Sequence, residues 1–471
     1  MSDDFDMATG PEAGMDDGAF RTAEGRISLL WLERLRAYLE AGRDEDVALV
    51  MEPLHSADIG DVLEQLEPAE RIALVVMLGD RFDYSALTEV DESIRLEIME
   101  ALPNADIARG VAELSNDDAV FLLEDLEPED QHEILSALPT FERLKLKRSL
   151  DFPEDSAGRR MQTDFIAIPP FWTVGQTIDY LRAEQDLPEE FYQIYVVDAG
   201  YTVLGTLPLD KFLRTPRSVK IDTIMNTTFV LVKAEEDQEE AARSFERYDL
   251  VEVGVVDESG RLVGVLTIDD IVDVIQEEAE EDIRLMAGVG DEDVSDTTVD
   301  TVKSRAPWLA VNLVTAVLVS YVIGLFNATI EQMVALAVLM PIVASMGGNA
   351  GAQTMTVTVR ALATREIEGG RVRRLIRREM VVGIFNGAIF AILIGLITWL
   401  RFTNAGLGVV IGLAMIINMI VAGTFGILIP LTLDKLKADP AIASAVFVTT
   451  VTDVVGFFAF LGIAGLWFGL F

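Results

Sequence analysis

One acid stands inside the long apolar stretches of this chain: Asp453, in the last of them. An unpaired Asp near a bilayer centre costs about 2.5–3.5 kcal/mol on insertion scales, so it must face a cavity, an ion path or a partner. Thr449, Thr452 and Gly456 share its side of a helix and form a small, polar strip, with no Lys, Arg or His in any apolar stretch to pair with it. Such a carboxylate can bind a hydrated cation, relay a proton, or sit protonated in ordinary packing. A second grouping is a row of acids, Asp269, Asp270, Asp273, Glu277, Glu278, Glu280, Glu281 and Asp282, uninterrupted by Lys or Arg. On one helix Asp270 and Asp273 are i, i+3 neighbours, as are Glu278 and Glu281, and like charges so placed cost about 0.2–0.5 kcal/mol per pair. The row is either a solvated face or one neutralised by oxygen-liking cations. Hard divalent ions such as Mg²⁺ take one or two carboxylates and keep several waters.

The elements that must position these groups divide the 471 residues into two halves. Asp and Glu (78) outnumber Lys and Arg (37), for a net charge of −41, yet mean hydropathy is positive. From residue 303 onward there are 12 basic and seven acidic side chains. An acidic front half therefore precedes an apolar, slightly basic back half. A front half this negative repels phosphate and excludes nucleic acid as a partner. The absence of Cys excludes disulfides, thiolate metal sites and a Cys nucleophile. Five stretches are long enough to cross a bilayer: Trp308 to Phe326, Met333 to Gln353, Met380 to Leu400, Val409 to Leu433 and Ile442 to Phe468. The second and fifth contain polar residues and are expected to face protein rather than lipid. The basic clusters at Arg360 to Arg378, at Lys435 and Lys437, and at Lys303 and Arg305 fall on one side only if five spans put the N-terminus in the cytoplasm and the C-terminus outside.

In the front half an apolar residue recurs every twelve positions, at Leu66, Leu78, Val90, Leu102, Leu114, Leu126 and Leu138, with turn or cap signals after several of them. This predicts a stack of short helices. A second repeat has a period of 59: Tyr195-Val196-Val197-Asp198, Leu204-Gly205 and Asp210 match Gly254-Val255-Val256-Asp257, Val263-Gly264 and Asp269. Met161 and Met225 open the two copies. Each copy reads as strand, turn, strand and helix, and the pair resembles tandem CBS domains, ligand-sensing modules that pair about a pseudo-twofold axis. That resemblance implies an adenine-nucleotide site at Thr267 and Asp270, while Pro208 and Lys211 make the first copy degenerate. Alternatively, Thr267 only caps the following helix. Residues from Asp296 to Arg305 read as an amphipathic linking helix at the membrane surface. Span two ends in Gly347-Gly348-Asn349-Ala350-Gly351-Ala352-Gln353 after Pro341, a run that weakens a helix and predicts a break beside the acid-bearing span, or else close helix packing. Both His lie in the front half, so soft metals lack ligands in the membrane and Mg²⁺ comes first, then Ca²⁺, Mn²⁺ or Co²⁺.

The order of these parts, with Gly-Gly-Asn-Ala-Gly-Ala-Gln at 347–353 and Thr-Asp-Val-Val-Gly at 452–456, resembles the MgtE family of magnesium channels. The resemblance implies a non-enzymatic, homodimeric, multi-pass protein of the cytoplasmic membrane, with its pore between the subunits and Asp453 binding hydrated Mg²⁺ there. Gly347, Gly348, Asn349, Gln353, Thr449 and Thr452 are pore-lining candidates. Family sensor carboxylates fall on Asp237, Glu239, Asp249, Asp270, Asp273, Glu278, Glu281, Asp282 and Asp439, and Asp117 matches one in the helical stack. Ser85 and Phe121 stand where the family has carboxylates. The expected architecture is an acidic disordered tail (1–27), a helical repeat domain (28–158), an α/β CBS pair (159–282), a linking or plug helix (283–306) and a five-helix transmembrane bundle (307–471). The expected function is Mg²⁺ import, closed by cytosolic Mg²⁺ on the CBS and linking acids, with ATP as a further ligand of the CBS pair. A proton-coupled divalent-cation transporter regulated by nucleotide is the alternative.

Overall fold

The computed structural model describes residues 19–184, 187–188, 191–289, 298–363, 367 and 371–470. It comprises two compact units, Met1–Gln276 and Glu277–Phe471. Of the expected disordered tail, residues 1–18 lie outside the described residues. Residues 19–27 are ordered, which corrects that expectation. Arg21 bridges Ile27, Phe20 meets Trp31 edge to face, and the Arg21 guanidinium pairs with Asp58 and Asp61.

Nine helices follow: α1 (Leu29–Glu40), α2 (Asp44–Met51), α3 (Ser56–Gln65), α4 (Pro68–Leu78), α5 (Glu92–Ala101), α6 (Asn104–Val111), α7 (Asn116–Glu124), α8 (Pro128–Ala137) and α9 (Thr140–Leu150). From α3 the helix starts fall at 56, 68, 92, 104, 116, 128 and 140, a twelve-residue grid with one helix missing at 80. There the chain forms two 3₁₀ turns, Gly79–Arg81 and Tyr84–Leu87. Gly79 adopts φ +53°, which ends α4, and the Asp83 carboxylate accepts from the Ser85 N–H at 3.1 Å. Each leucine or valine of the repeat comes at or just after the end of a helix or turn. Leu66, Leu78, Val90, Leu102 and Leu138 are buried, and Leu114 and Leu126 pack against the same core.

The α/β segment keeps its period down to single hydrogen bonds. β1 (Ala167–Ile168), α10 (Val174–Ala183), β2 (Gln193–Val197), β3 (Val203–Pro208) and α11 (Leu209–Leu213) form the first copy. β4 (Leu231–Lys233), α12 (Gln238–Tyr248), β5 (Glu252–Val256), β6 (Leu262–Thr267) and α13 (Ile268–Ala287) form the second. The sheets are ordered β1-β2-β3 and β4-β5-β6, the first pair parallel and the second antiparallel in each. Gln193 faces Pro208 as Glu252 faces Thr267, and both hairpins shift register at the matching place, Val196/Val197 and Val255/Val256. The opening segments cross over: Gln162 bridges Val265 of the second copy and Asn226 bridges Thr206 of the first. This reciprocity ties the copies into a CBS pair.

In the second unit come α14 (Thr298–Gly324), α15 (Asn327–Gln332), α16 (Ala335–Ala363), α17 (Arg371–Phe402), α18 (Ala405–Lys435) and α19 (Pro440–Phe468). Among the described residues five helices, α14 and α16 to α19, are long and apolar enough to cross a membrane. Among the described residues no separate linking helix is seen. Residues 283–287 finish α13, residues 290–297 lie outside the described residues, and residues 298–306 run into span one as a single helix through Pro307. The two spans expected to face protein, α16 and α19, are 28% and 39% buried over their apolar windows, against 0% for α14 and 17% for α17, and α18 is more buried still at 56%. Its small residues allow this: the Gly408 and Gly395 backbones touch, and Gly412 lies against Ala391 of α17. The expected break in span two is also absent, since α16 is one helix containing Pro341.

Candidate functional site

Asp439 is the N-cap of α19, its carboxylate accepting from the Ala441 N–H at 2.7 Å, with Pro440 at the first helical position. Nearly four turns further on, Asp453 is partly buried. It opens on a groove of about 370 Å³ between α14 and α19, whose polar lining is Asn312, Thr315 and Ser320 on one side and Thr449, Thr450 and Asp453 on the other. No cationic side chain lines this groove. The three α14 residues escaped the sequence reading, although their spacing of three and five places polar groups on one face of an otherwise apolar span. Asp453 is also not the one acid in a membrane helix, because α17 begins early enough to include Glu379. Glu379 is nearly buried, pairs with Arg378 at 3.1 Å and lies 3.5 Å from the Thr354 hydroxyl. It is a paired group at the end of a span.

The glycine-rich run of α16 serves packing. Asn418 of α18 is fully buried and donates its amide N–H to the Val343 carbonyl at 2.8 Å. A Cβ on Gly347 would lie 2.2 Å from that amide nitrogen, and one on Gly456 of α19 would lie 2.8 Å from it. Two glycines on two helices thus admit one side chain of a third, one turn from Asp453. Asn418 itself gave no sequence signal beyond being polar. Of the pore-lining candidates, Thr449 lies in the groove, and Gly348 would carry a Cβ only 3.7 Å from the Thr449 methyl. Asn349 and Gln353 are exposed on α16. Gly347 is taken up by Asn418, and Thr452 is fully buried with its hydroxyl donating to the Thr449 carbonyl at 2.9 Å. Neither lines this groove.

In the first unit, Asp117 at the start of α7 meets Asp270 at the start of α13. Asp117 is buried and one of its carboxylate oxygens has no hydrogen-bond partner. The Thr267 hydroxyl donates to Asp270 at 2.6 Å. Burial, and then the charge of Asp117, holds Asp270 well above the usual carboxylate range, and burial raises Asp117 likewise. Asp118 is pushed up to about 6 by burial and by Asp117. Asp273 is raised by burial and by Asp269. Thr267 is thus the partner of Asp270, and Asp117 lies against the same carboxylate. In the first copy Lys211 donates to Asn226 at 3.0 Å.

The remaining predicted sensors have local structural work. Asp237 caps α12 through the Glu239 N–H at 2.9 Å, Glu239 pairs with Arg243 at 2.5 Å, and Asp249 ends α12 in the left-handed region at φ 52°. Glu278, Glu281 and Asp282 lie on the C-terminal half of α13. Among the described residues no three carboxylate or imidazole groups converge tightly enough to hold a metal ion. A cation at the acidic face would therefore keep much of its water. The orphaned Asp117 oxygen and the raised acids around it are groups that such a cation would satisfy. At Phe121, where a further carboxylate was lacking, the ring lies 4.2 Å from the Arg95 guanidinium and 5.5 Å from that of Arg160. Arg95 also pairs with Asp125 at 2.5 Å, and Glu124, raised to about 7 by burial, lies 3.4 Å from Arg159.

Comparison with known proteins follows this division. The MgtE model, described as a divalent cation transporter, matches residues 340–463. The MgtE intracellular N domain matches 54–155 and the CBS domain 221–277. The magnesium transporter MgtE of Bacillus subtilis (strain 168) is 31% identical over 432 residues, 92% of this chain and 96% of that protein. The magnesium transporter MgtE of Thermus thermophilus is 31% identical over 440 residues, 92% and 97% of the two chains. Among solved structures, the soluble part of a magnesium transporter aligns at TM-score 0.48 and 26% identity, covering 53% of this chain and 98% of that one.

Proposed function

The chain belongs to the MgtE family of CBS-containing magnesium transporters, and from that premise we propose that it imports Mg²⁺ through a path that runs past Asp453. One observation carries the reading: a membrane carboxylate opens on a polar groove that holds no cationic side chain. A hexahydrated ion needs about 180 Å³ at roughly 30 Å³ per water, and the groove offers about 370 Å³. The ion passes with its water, attracted by one carboxylate and handed between neutral oxygens. Entry is driven by the membrane potential, worth about 2.3 kcal/mol per charge per 100 mV and double that for a divalent ion. In this reading two copies of the chain form the path between them in the cytoplasmic membrane, with the N-terminus inside and the C-terminus outside.

Closure is part of the proposal. When cytosolic Mg²⁺ is high, it neutralises the acids of the front half, Asp117, Asp270 and Asp273 first, and the α13 row with Asp439 after them. When Mg²⁺ falls, these acids lose the cation that joins them and the path opens. The test is complementation of cells that lack other magnesium importers. Asp453→Ala should fail to support growth at low Mg²⁺ while accumulating in the membrane at the normal level. Full rescue by that variant rejects the path.

A further inference from the structure

We propose that α14 is the second wall of the ion path and that Thr315 on it binds the water shell of the passing ion. The inference rests on the reading of Asp453 above and names residues that reading does not need. Asn312, Thr315 and Ser320 face Asp453 across the groove. The first and last lie eight positions apart on one helix, about 12 Å at 1.5 Å per residue, so the wall runs along the path rather than touching it at one point.

The direction of the hydroxyl protons decides what this wall recognises. A threonine hydroxyl has one proton and two lone pairs. The Thr315 hydroxyl donates to the Asn312 carbonyl at 2.9 Å. Across the groove Thr449 donates to the Ala445 carbonyl at 2.9 Å, and Thr450 to that of Val446 at 2.6 Å. All three protons point along their own helices, which leaves oxygen lone pairs for the groove on both walls. Water bound to a cation turns its hydrogens outward and requires acceptors. Water around an anion turns its oxygens outward and needs donors, which this lining offers only at Asn312 and Ser320. The two walls therefore select the sign of the ion and favour an ion that keeps its water, with Asp453 supplying the charge.

The experiment uses the full-length protein in liposomes, with initial Mg²⁺ influx and its block by cobalt(III) hexaammine, a trivalent probe whose outer face carries only N–H donors. Thr315→Val should reduce influx and weaken the block by about tenfold each, the value of one lost hydrogen bond to a charged assembly. Thr315→Ser, which restores the oxygen, should recover both. Thr432→Val is the matched control, because Thr432 makes the same bond along α18, to the Leu428 carbonyl at 2.6 Å, but is absent from the groove. Should Thr315→Val melt lower than Thr432→Val, Ser320→Ala gives the reading in its place and should show the same two losses. Wild-type influx and block in Thr315→Val, or no recovery in Thr315→Ser, overturns the second wall. If Asp453→Asn is inactive in the same liposomes, the path past Asp453 survives that result, and if Asp453→Asn is active the path itself has failed.

Discussion

Gly347→Ala and Gly348→Ala are neighbouring changes with opposite expected outcomes. At Gly347 the added methyl would lie 2.2 Å from the Asn418 amide nitrogen, inside a fully buried junction. Asn418 must then move, giving up its 2.8 Å bond to the Val343 carbonyl. A buried donor left unpaired costs about 1–3 kcal/mol, and overpacking adds about 1–3 kcal/mol. The better helix propensity of Ala returns about 0.5–1 kcal/mol. The net is a destabilisation of about 1–5 kcal/mol, together with displacement of α19 next to Asp453. At Gly348 the new methyl would meet only the Thr449 methyl at an ordinary 3.7 Å, so the propensity gain stands alone. Thermal unfolding in detergent and Mg²⁺ influx into liposomes read both quantities. Gly347→Ala should melt several degrees lower and transport poorly, and Gly348→Ala should melt at or slightly above wild type. Equal melting temperatures for the two would refute the three-helix junction.

Two predictions concern the cytoplasmic unit. Because the folded values of Asp117 and Asp270 are raised, their neutral pairing contributes stability that is lost as pH rises through those values. Asp118, raised to about 6, adds a loss that begins above its ordinary value near pH 4 and is complete above pH 6. The metal-free protein should therefore melt lower at pH 8 than at pH 5.5, stabilisation by Mg²⁺ should grow over the same range, and Asp270→Asn should flatten both trends; a pH-independent Mg²⁺ effect counts against cation binding at these acids. Phe121→Ala removes the ring that Arg95 and Arg160 flank. It should cost about 1–3 kcal/mol in thermal melts with and without Mg²⁺, whereas an effect seen only with Mg²⁺ would contradict a metal-free contact.

The parts most legible in the sequence were those built from local repetition. The twelve-residue leucine pattern fixes where helices end because each short helix can bury only one face, and the leucine that closes it lands in the shared core. The 59-residue period carries over to strand pairing because identical spacing yields an identical hairpin, including its register shift. The missing helix at residue 80 depended on a single backbone angle at Gly79. The membrane half was harder to read because its key relations join distant residues. Gly347 and Gly456 acquire meaning only through Asn418, which is 71 and 38 positions away in the chain. Pro341 and the glycines suggested a broken span because they weaken isolated helices. Inside a bundle, close packing and the Asn418 amide keep α16 continuous. Asp453 was visible as a lone acid, but its opposite wall was not, since Asn312, Thr315 and Ser320 are unremarkable until α14 is set against α19.

The account stands or falls on whether Asp453 carries the ion. Purified protein in liposomes loaded with a Mg²⁺-sensitive dye, with an inside-negative potential imposed and pH equal on both sides, addresses this directly. Wild-type protein should admit Mg²⁺ at a rate that rises with the potential, and Asp453→Asn, with the same fold and no charge, should reduce that influx to the level of empty liposomes. Potential-driven influx through Asp453→Asn at the wild-type rate would contradict the account.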